Sequence, residues 1–441
     1  MSVPESVRAR LLDAWLDPAA LFVAGPGRRT HAFWLDAGPD AVDGWSWLGE
    51  GEPASDPPRE TVCATAPGET RPWGSFSGGW VGWFSYDAAA ATVGAPAAAS
   101  EPAASGLGVQ RFIAVDHATR RQWAVAPSGQ LDAYCAEVAG WCAAAADAPV
   151  PVAAAVSAVG RRARVATARH TPAEYAALIE RCRDAIRDGD AYQLCLTTRF
   201  TVTGDVDPLD SYLSLRAATP AHHGGIIQVG DRALLSASPE QFLQVDAGVV
   251  RTRPIKGTRP RAADPVVDAA LAAELLDSAK ERAENVMIVD LMRNDLQRVC
   301  LPGTVAAERL LEVESYPAVH QLVSTVAGRL RSGIPIGDVL DATFPAGSMT
   351  GAPKLSAMTI LHELEAAPRG VFAGCFGWIG HDGRADLAMV IRSIVTGPGE
   401  AYVGAGGGIT WGSDAASEVA EVGIKARGPL AALGATLPPG W

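Results

Sequence analysis

Several ionisable side chains fall where burial would be costly unless they are used. In ENVMIVDLMRND, Glu284 shares a helical face with Ile288 and Leu291. A carboxylate on such an apolar stripe needs a charged partner or a metal. In SDAASEVAEVGIKAR, Glu418, Glu421 and Lys425 project one way from one helix, which Ser413 or Asp414 would cap. Three carboxylates from two helices, with waters, suit hard, octahedral Mg²⁺. An exposed ion-paired face is the other reading of the C-terminal helix.

SPEQF at 238–242 and RPIKGTRPR at 253–261 read as strand–turn segments that carry Glu240, Lys256, Gly257 and Thr258. Lys256 in a desolvated turn could act as a nucleophile once it loses its proton; in an exposed turn it would be a solvated charge. Arg392 lies within LAMVIRSIV, with Val390 and Ile394 as its same-face neighbours, so a buried strand is expected there. A buried arginine wants a carboxylate, from the protein or from a ligand. Gly404 and Gly406 to Gly408 would permit close backbone approach at the mouth of a following helix, where N–H groups favour anions.

Three motif-like runs fail on inspection. His362-Glu363 begins a zinc-protease pattern, but Ala366 stands where the second histidine belongs. GAGGGI at 404–409 has Ile409 in the third glycine position of a dinucleotide fingerprint. In GSMTGAPK at 347–354 the lysine does not directly follow the second glycine, so it is not a phosphate loop.

These residues need a scaffold, and the chain is long enough to build one. It has 441 residues, 48% of them hydrophobic, which fits a globular enzyme. With 37 basic and 49 acidic residues its formal charge is -12, a poor match to nucleic acid or anionic membrane. Any anionic substrate must be held by a few placed cations. No basic start followed by an apolar run marks a signal peptide, and no membrane span is expected. The seven cysteines are scattered without CxxC pairs, so free thiols in a reducing cytoplasm are expected.

Residues 1–150 read as a β-rich subdomain, with HAFWLD and GGWVGWFSYD as strands. More than half of the twelve tryptophans fall before residue 91, which points to dense aromatic packing. An Ala/Pro/Val-rich stretch over 143–160 reads as a connector or exposed loop. Beyond it, Thr171 and Glu174 form a capping-box pattern. AYQLCLTTRF, ALLSAS, GVVRTRPI, GCFGWIG, LAMVIRSIV and AYVGAG are strand-like, and helices are expected over 268–296, 353–366 and 414–433. The pattern implies an α+β fold with mainly antiparallel sheets.

Together, GDAYQLCLTTRF, SASPEQFL, RPIKGTRPR, ENVMIVDLMRNDL, VHQLVSTV, FPAGSMTGAPK, DLAMVIRSI, GAGGGI and SDAASEVAEVGIKAR resemble the chorismate-binding enzymes, in that family's order. The family includes anthranilate, aminodeoxychorismate, isochorismate and salicylate synthases. The resemblance implies a catalytic domain over 165–437, preceded by a subdomain of anthranilate synthase component I type. It also implies two large, mainly antiparallel sheets with flanking helices. By resemblance, Glu284, Glu418 and Glu421 surround Mg²⁺, which grips the ring carboxylate of chorismate; Gly257, Thr258 and Lys425 contact the same end. Arg392 with the backbone of Gly406 and Gly408 would hold the enolpyruvyl carboxylate. Gln193, Gln321 and Thr350 would line the substrate, and Glu240 would be the general acid for the departing C4 hydroxyl.

Two positions separate the branches. Water-adding members carry a lysine base where this chain has Gln193, and an amide cannot take that proton. Anthranilate synthases read PIAGT where this chain reads PIKGT, and the lysine form resembles the aminodeoxychorismate branch. There Lys256 would attack C2 while hydroxide leaves C4, after which ammonia enters at C4. Gln321 stands where many members have a histidine, with His320 one place earlier, and Phe372 stands where anthranilate synthases tend to have tyrosine. No glutaminase cysteine pattern is present, so ammonia is expected from a separate glutamine amidotransferase subunit or from solution. Anthranilate or 2-amino-2-deoxyisochorismate synthesis is the alternative. A non-catalytic chorismate- or tryptophan-binding regulator is more remote, since the acid and all three metal carboxylates are retained and no LLES-type regulatory motif is evident.

Overall fold

A computed structural model describes residues 6–65, 71–98, 101–147 and 164–441. The alternating and continuous apolar runs form two large antiparallel sheets, one of twelve strands and one of ten. The α+β architecture is therefore as the sequence implies. Strands from the N-terminal segment enter both sheets. In the larger sheet His31–Asp36 pairs with His223–Val229; in the smaller one Gly79–Phe84 pairs with Cys375–Gly380. The two segments thus share both sheets. The connector expected over 143–160 begins inside a helix, Leu131–Asp147, and its remainder lies outside the described residues.

One apolar core lies between the sheets and a second between the larger sheet and its helices. Much of the expected aromatic zone fills the first: Trp47 meets Trp378 edge-on at 6.0 Å, and Trp80 and Trp83 are almost fully buried. Trp34 belongs to the second core. The helix Pro172–Arg187 starts at the expected box, with Glu174 N–H donating to Thr171 Oγ1 at 3.3 Å and Thr171 N–H to Glu174 Oε2 at 2.7 Å. Among the described residues no helix is long and apolar enough to cross a membrane.

Two elements differ from expectation. The single helix foreseen over 268–296 is two, Pro265–Asp277 and Ala279–Gln297. Ser278 between them is extended, and its hydroxyl accepts from Glu281 N–H to cap the second helix. LAMVIRSIV is likewise not one strand. Ala385–Met389 belongs to the smaller sheet and Ser393–Gly397 to the larger. Between them the chain turns at Arg392, which has a left-handed φ of 52°. A uniformly apolar run does not reveal such a change of sheet, because both halves are buried strands.

A neighbouring chain segment makes the reverse passage. Arg232–Ser238 lies in the larger sheet and Gln241–Asp246 in the smaller, so Pro239 and Glu240 bridge them. The two passages run side by side. Leu235 is opposite Ile394 on one side and Gln241 opposite Ala388 on the other. Met389 N–H donates to Glu240 O, and Ala237 N–H to Arg392 O. Glu240 and Arg392, far apart in sequence, therefore sit at one junction between the sheets.

Candidate active site

The junction gives the acid its environment. Glu240 is only 6% exposed. Burial pushes its carboxyl up to about 7, against the pull of Ser348, Lys256 and Lys425. Ser348 stands close enough to favour the ionised form but makes no hydrogen bond of ordinary geometry. Near neutral pH a substantial fraction of Glu240 thus carries a proton it can give. Arg392 lines the same junction. Burial lowers its guanidinium's affinity for a proton, opposed by the charge of Glu421. Among the described residues no carboxylate lies within ion-pair distance of Arg392.

Lys256 is not in an exposed turn. It belongs to the strand Ile255–Pro260, whose register with Val319–Arg329 slips between Ile255 and Thr258. Such an irregularity turns a side chain away from the regular alternation. Gly257 within it has φ 79°, and a Cβ there would meet Leu275 and Glu281 within about 3 Å. The Lys256 side chain is only 14% exposed, with Nζ 3.7 Å from Glu284 Oε2. Thr258 lies opposite Gln321, whose Oε1 is buried with no hydrogen-bond partner.

The glycine run does not form a loop at a helix mouth. It is the end of the strand Glu400–Ile409, paired along Gln193–Thr203. Its other edge pairs with Ser393–Gly397 only as far as Val403, because that strand has just arrived from the other sheet. Beyond Val403 this edge is open. Lys425 Nζ donates to Gly406 O at 2.8 Å, so Gly406 points its backbone groups off the ladder. The two-residue period turns Gly408 the same way. The expected backbone N–H groups are therefore presented at a strand edge instead of a helix start. A Cβ at Gly408 would stand 2.5 Å from Gln193 Nε2 and 3.2 Å from Lys256 Nζ. Gln193 is fully buried, and neither end of its amide has a partner.

The three glutamates approach from two helices. Glu284 and Glu418 are 11% and 6% exposed, and both face the Lys280 ammonium, at 3.9 and 3.7 Å. Glu284 Oε1 makes no hydrogen bond, and burial raises its carboxyl despite Lys256 and Lys280. Ser413 Oγ donates to Glu418 at 2.8 Å, while Asp414 caps the helix Ala415–Ala432. Glu421 is half exposed and pairs with Lys425 at 2.7 Å. Among the described residues no three such groups are gathered tightly enough to hold a cation. The donors nevertheless fit a hard cation in kind. Two are near-buried carboxylates, one has an orphaned oxygen, and the ammonium between them is on a flexible arm.

Other expected residues have settled partners. Thr350 is buried, and its hydroxyl donates to Ala346 O at 3.2 Å within its own turn. His320 is held between Ser315 and Asp268, at 2.8 and 3.0 Å. Phe372 is buried with its ring against Gly404. Sequence reasoning missed Lys280 and Ser348. The spacing of Lys280 to Glu284 was a usable signal for the first; nothing local marks Ser348. A separate cavity of about 650 Å³ is lined by Trp45, Trp47, His222, Tyr316 and Trp378, and by none of the site residues.

Residues 40–431 match the family described as chorismate binding enzyme. The chain is 42% identical over 366 residues to an aminodeoxychorismate synthase of Streptomyces pristinaespiralis, covering 81% of this chain and 51% of that protein. It is 40% identical over 375 residues to an anthranilate synthase component 1 of Streptomyces coelicolor, covering 81% and 73%. The chain spans about half the length of the first of these relatives. Its fold is similar to the crystal structure of anthranilate synthase component I from Streptococcus pneumoniae, with a TM-score of 0.71 and 27% identity, covering 97% of this chain and 92% of that one.

Proposed function

The chain belongs to the chorismate-binding enzyme family, and from that premise we propose that it is a chorismate aminase of the aminodeoxychorismate synthase component I type. It converts chorismate and ammonia to 4-amino-4-deoxychorismate, a precursor of 4-aminobenzoate. Ammonia comes from a glutamine amidotransferase partner, and the setting is cytoplasmic. The observation that carries the choice of product is Lys256. It is a nearly buried lysine within reach of Glu284 and close enough to Glu240 to favour its ionised form, where the anthranilate branch has alanine.

The residues divide the work by charge. Among the described residues Arg392 has no carboxylate within ion-pair distance, and with the strand edge at Gly406 and Gly408 it would hold one carboxylate of chorismate. Gly257 and Thr258 would contact the other end, while Lys425, hydrogen-bonded to Gly406 O, stands at the strand edge. Glu284, Glu418 and Glu421 would hold Mg²⁺, which when bound neutralises the ring carboxylate. Once Lys256 has given its proton to solvent, its nitrogen forms a bond to C2. The ring double bonds shift, and the C4–oxygen bond breaks as Glu240 delivers its proton, so water leaves. Ammonia then bonds to C4, the double bonds return and the Lys256 nitrogen departs from C2. Gln193, having no basic atom, orients groups without activating water. Gln321, with its unpartnered Oε1, completes the lining.

The test is product identity. Purified protein with chorismate, an ammonium salt and Mg²⁺ should yield a 4-amino product, read by coupling to a lyase that releases 4-aminobenzoate. Anthranilate or a 2-amino product, with no 4-amino product, would overturn the choice. The 40% identity to an anthranilate synthase component makes that the second reading.

A further inference from the structure

Lys280 is the second residue of the helix Ala279–Gln297, a place that disfavours it twice. A cation in the first turn opposes the helix dipole. A lysine four residues before a glutamate is the weaker order for a helical ion pair. Residues that break local rules in this way are often held by function. Here the ammonium reaches two carboxylates from different helices: Glu284 Oε1 at 3.9 Å and Glu418 Oε1 at 3.7 Å. Among the described residues Lys280 is the sole ion-pair partner of Glu418.

We propose that Lys280 is a tethered cation that holds Glu284 and Glu418 together in the metal-free protein and competes with the divalent ion for them. This rests on the reading of those glutamates as metal ligands. The mobility of the three groups is unequal. The carboxylates are 11% and 6% exposed and cannot turn to water, whereas the lysine is 56% exposed on a flexible stem. Two near-buried negative charges facing one another need a positive charge between them. A divalent ion supplies two units where the lysine supplies one, so the ion displaces the ammonium outward to solvent. The site is thus kept assembled before metal arrives, at the cost of weaker metal binding.

The experiment is a Mn²⁺ titration followed by electron paramagnetic resonance, without chorismate, on wild type, Lys280→Met, Lys280→Arg, Glu284→Gln and Glu418→Gln. Lys280→Met should bind Mn²⁺ about 30-fold more tightly, the effect of removing one unit charge about 4 Å from a divalent ion in water-like surroundings. Lys280→Arg should stay near wild type. In thermal melts without metal, Lys280→Met should melt lower than wild type and gain more on adding Mg²⁺. Equal or weaker Mn²⁺ binding by Lys280→Met overturns the competition. Binding unchanged in both glutamine variants overturns the metal-site reading itself, a separate outcome.

Discussion

Arg369, buried, and Arg392, half-buried, show two opposite uses of a guanidinium. Arg369, 3% exposed, donates to both oxygens of Glu365 and to the carbonyls of Met349 and Cys195, all at 2.7–2.9 Å. Its flat face lies 4.3 Å from the Tyr86 ring centre. Glu365 in turn accepts from the backbone and hydroxyl of Thr197. Among the described residues Arg392 has no such carboxylate. The same contrast separates the surroundings. Near the N-terminal seam, buried Asp36 is met by Arg216 and Tyr212. Around Lys256, Gln193, Gln321 Oε1 and Glu284 Oε1 are buried without hydrogen-bond partners among the described residues. Burial alone therefore does not mark function here. Nor does a missing partner by itself, since Trp34 Nε1, Trp73 Nε1 and the Tyr134 hydroxyl lack one among the described residues, away from the site; around Lys256 such groups are gathered together, where a ligand can recover the free energy they cost.

That comparison can be broken at either arginine. Arg369→Met should cost about 3–5 kcal/mol, because it strands Glu365 as a buried charge. Against a typical total of about 5–15 kcal/mol, this should appear as low soluble yield and an early denaturation midpoint. A variant with a wild-type midpoint would mean the network is not structural. Lys256→Ala should lower 4-amination by about 10³-fold, or about 4 kcal/mol of barrier, with a smaller drop in midpoint than Arg369→Met because Glu284 keeps Lys280. An unchanged rate and product would remove Lys256 from the chemistry. Arg392→Met should fold normally, with KM for chorismate raised roughly 10- to 100-fold, the scale of a hydrogen bond to a charged group. An unaltered KM would place the anion elsewhere.

The smallest effect concerns pH. With its carboxyl pushed up to about 7, Glu240 loses its proton as pH rises through that value, so amination per free ammonia should fall above about pH 7. Between the ordinary 4.5 and about 7, the folded protein keeps a proton that the unfolded chain releases. Its contribution to stability therefore declines as pH rises through that window. Glu240→Gln should abolish turnover, retain chorismate binding by calorimetry and flatten that part of the stability profile. A variant that fails to fold would assign Glu240 a structural role.

Local periodicity carried much of the site into view. The spacing of Glu418, Glu421 and Lys425 placed all three on one side of a helix, and that helix formed with Asp414 as its cap. Thr171 and Glu174 announced their helix for the same reason, since capping involves only neighbours in sequence. The sheets were legible as a class from strand-like runs, and the ordered motifs pointed to the family. What the sequence alone could not decide was partnership across the fold. Val390 to Arg392 sits in an apolar run that reads as one strand, yet the chain leaves one sheet there and enters the other. That departure opens the strand edge beyond Val403 and turns Gly406 toward Lys425. It also sets Arg392 beside Glu240, and the slip in register next to Gly257 turns Lys256 from an apparent turn lysine into a cleft lysine. Helix and strand repeats are set by neighbouring residues, so they can be read along the chain. Whether a buried charge finds a partner depends on segments hundreds of residues away, and only the packed sheets determine that.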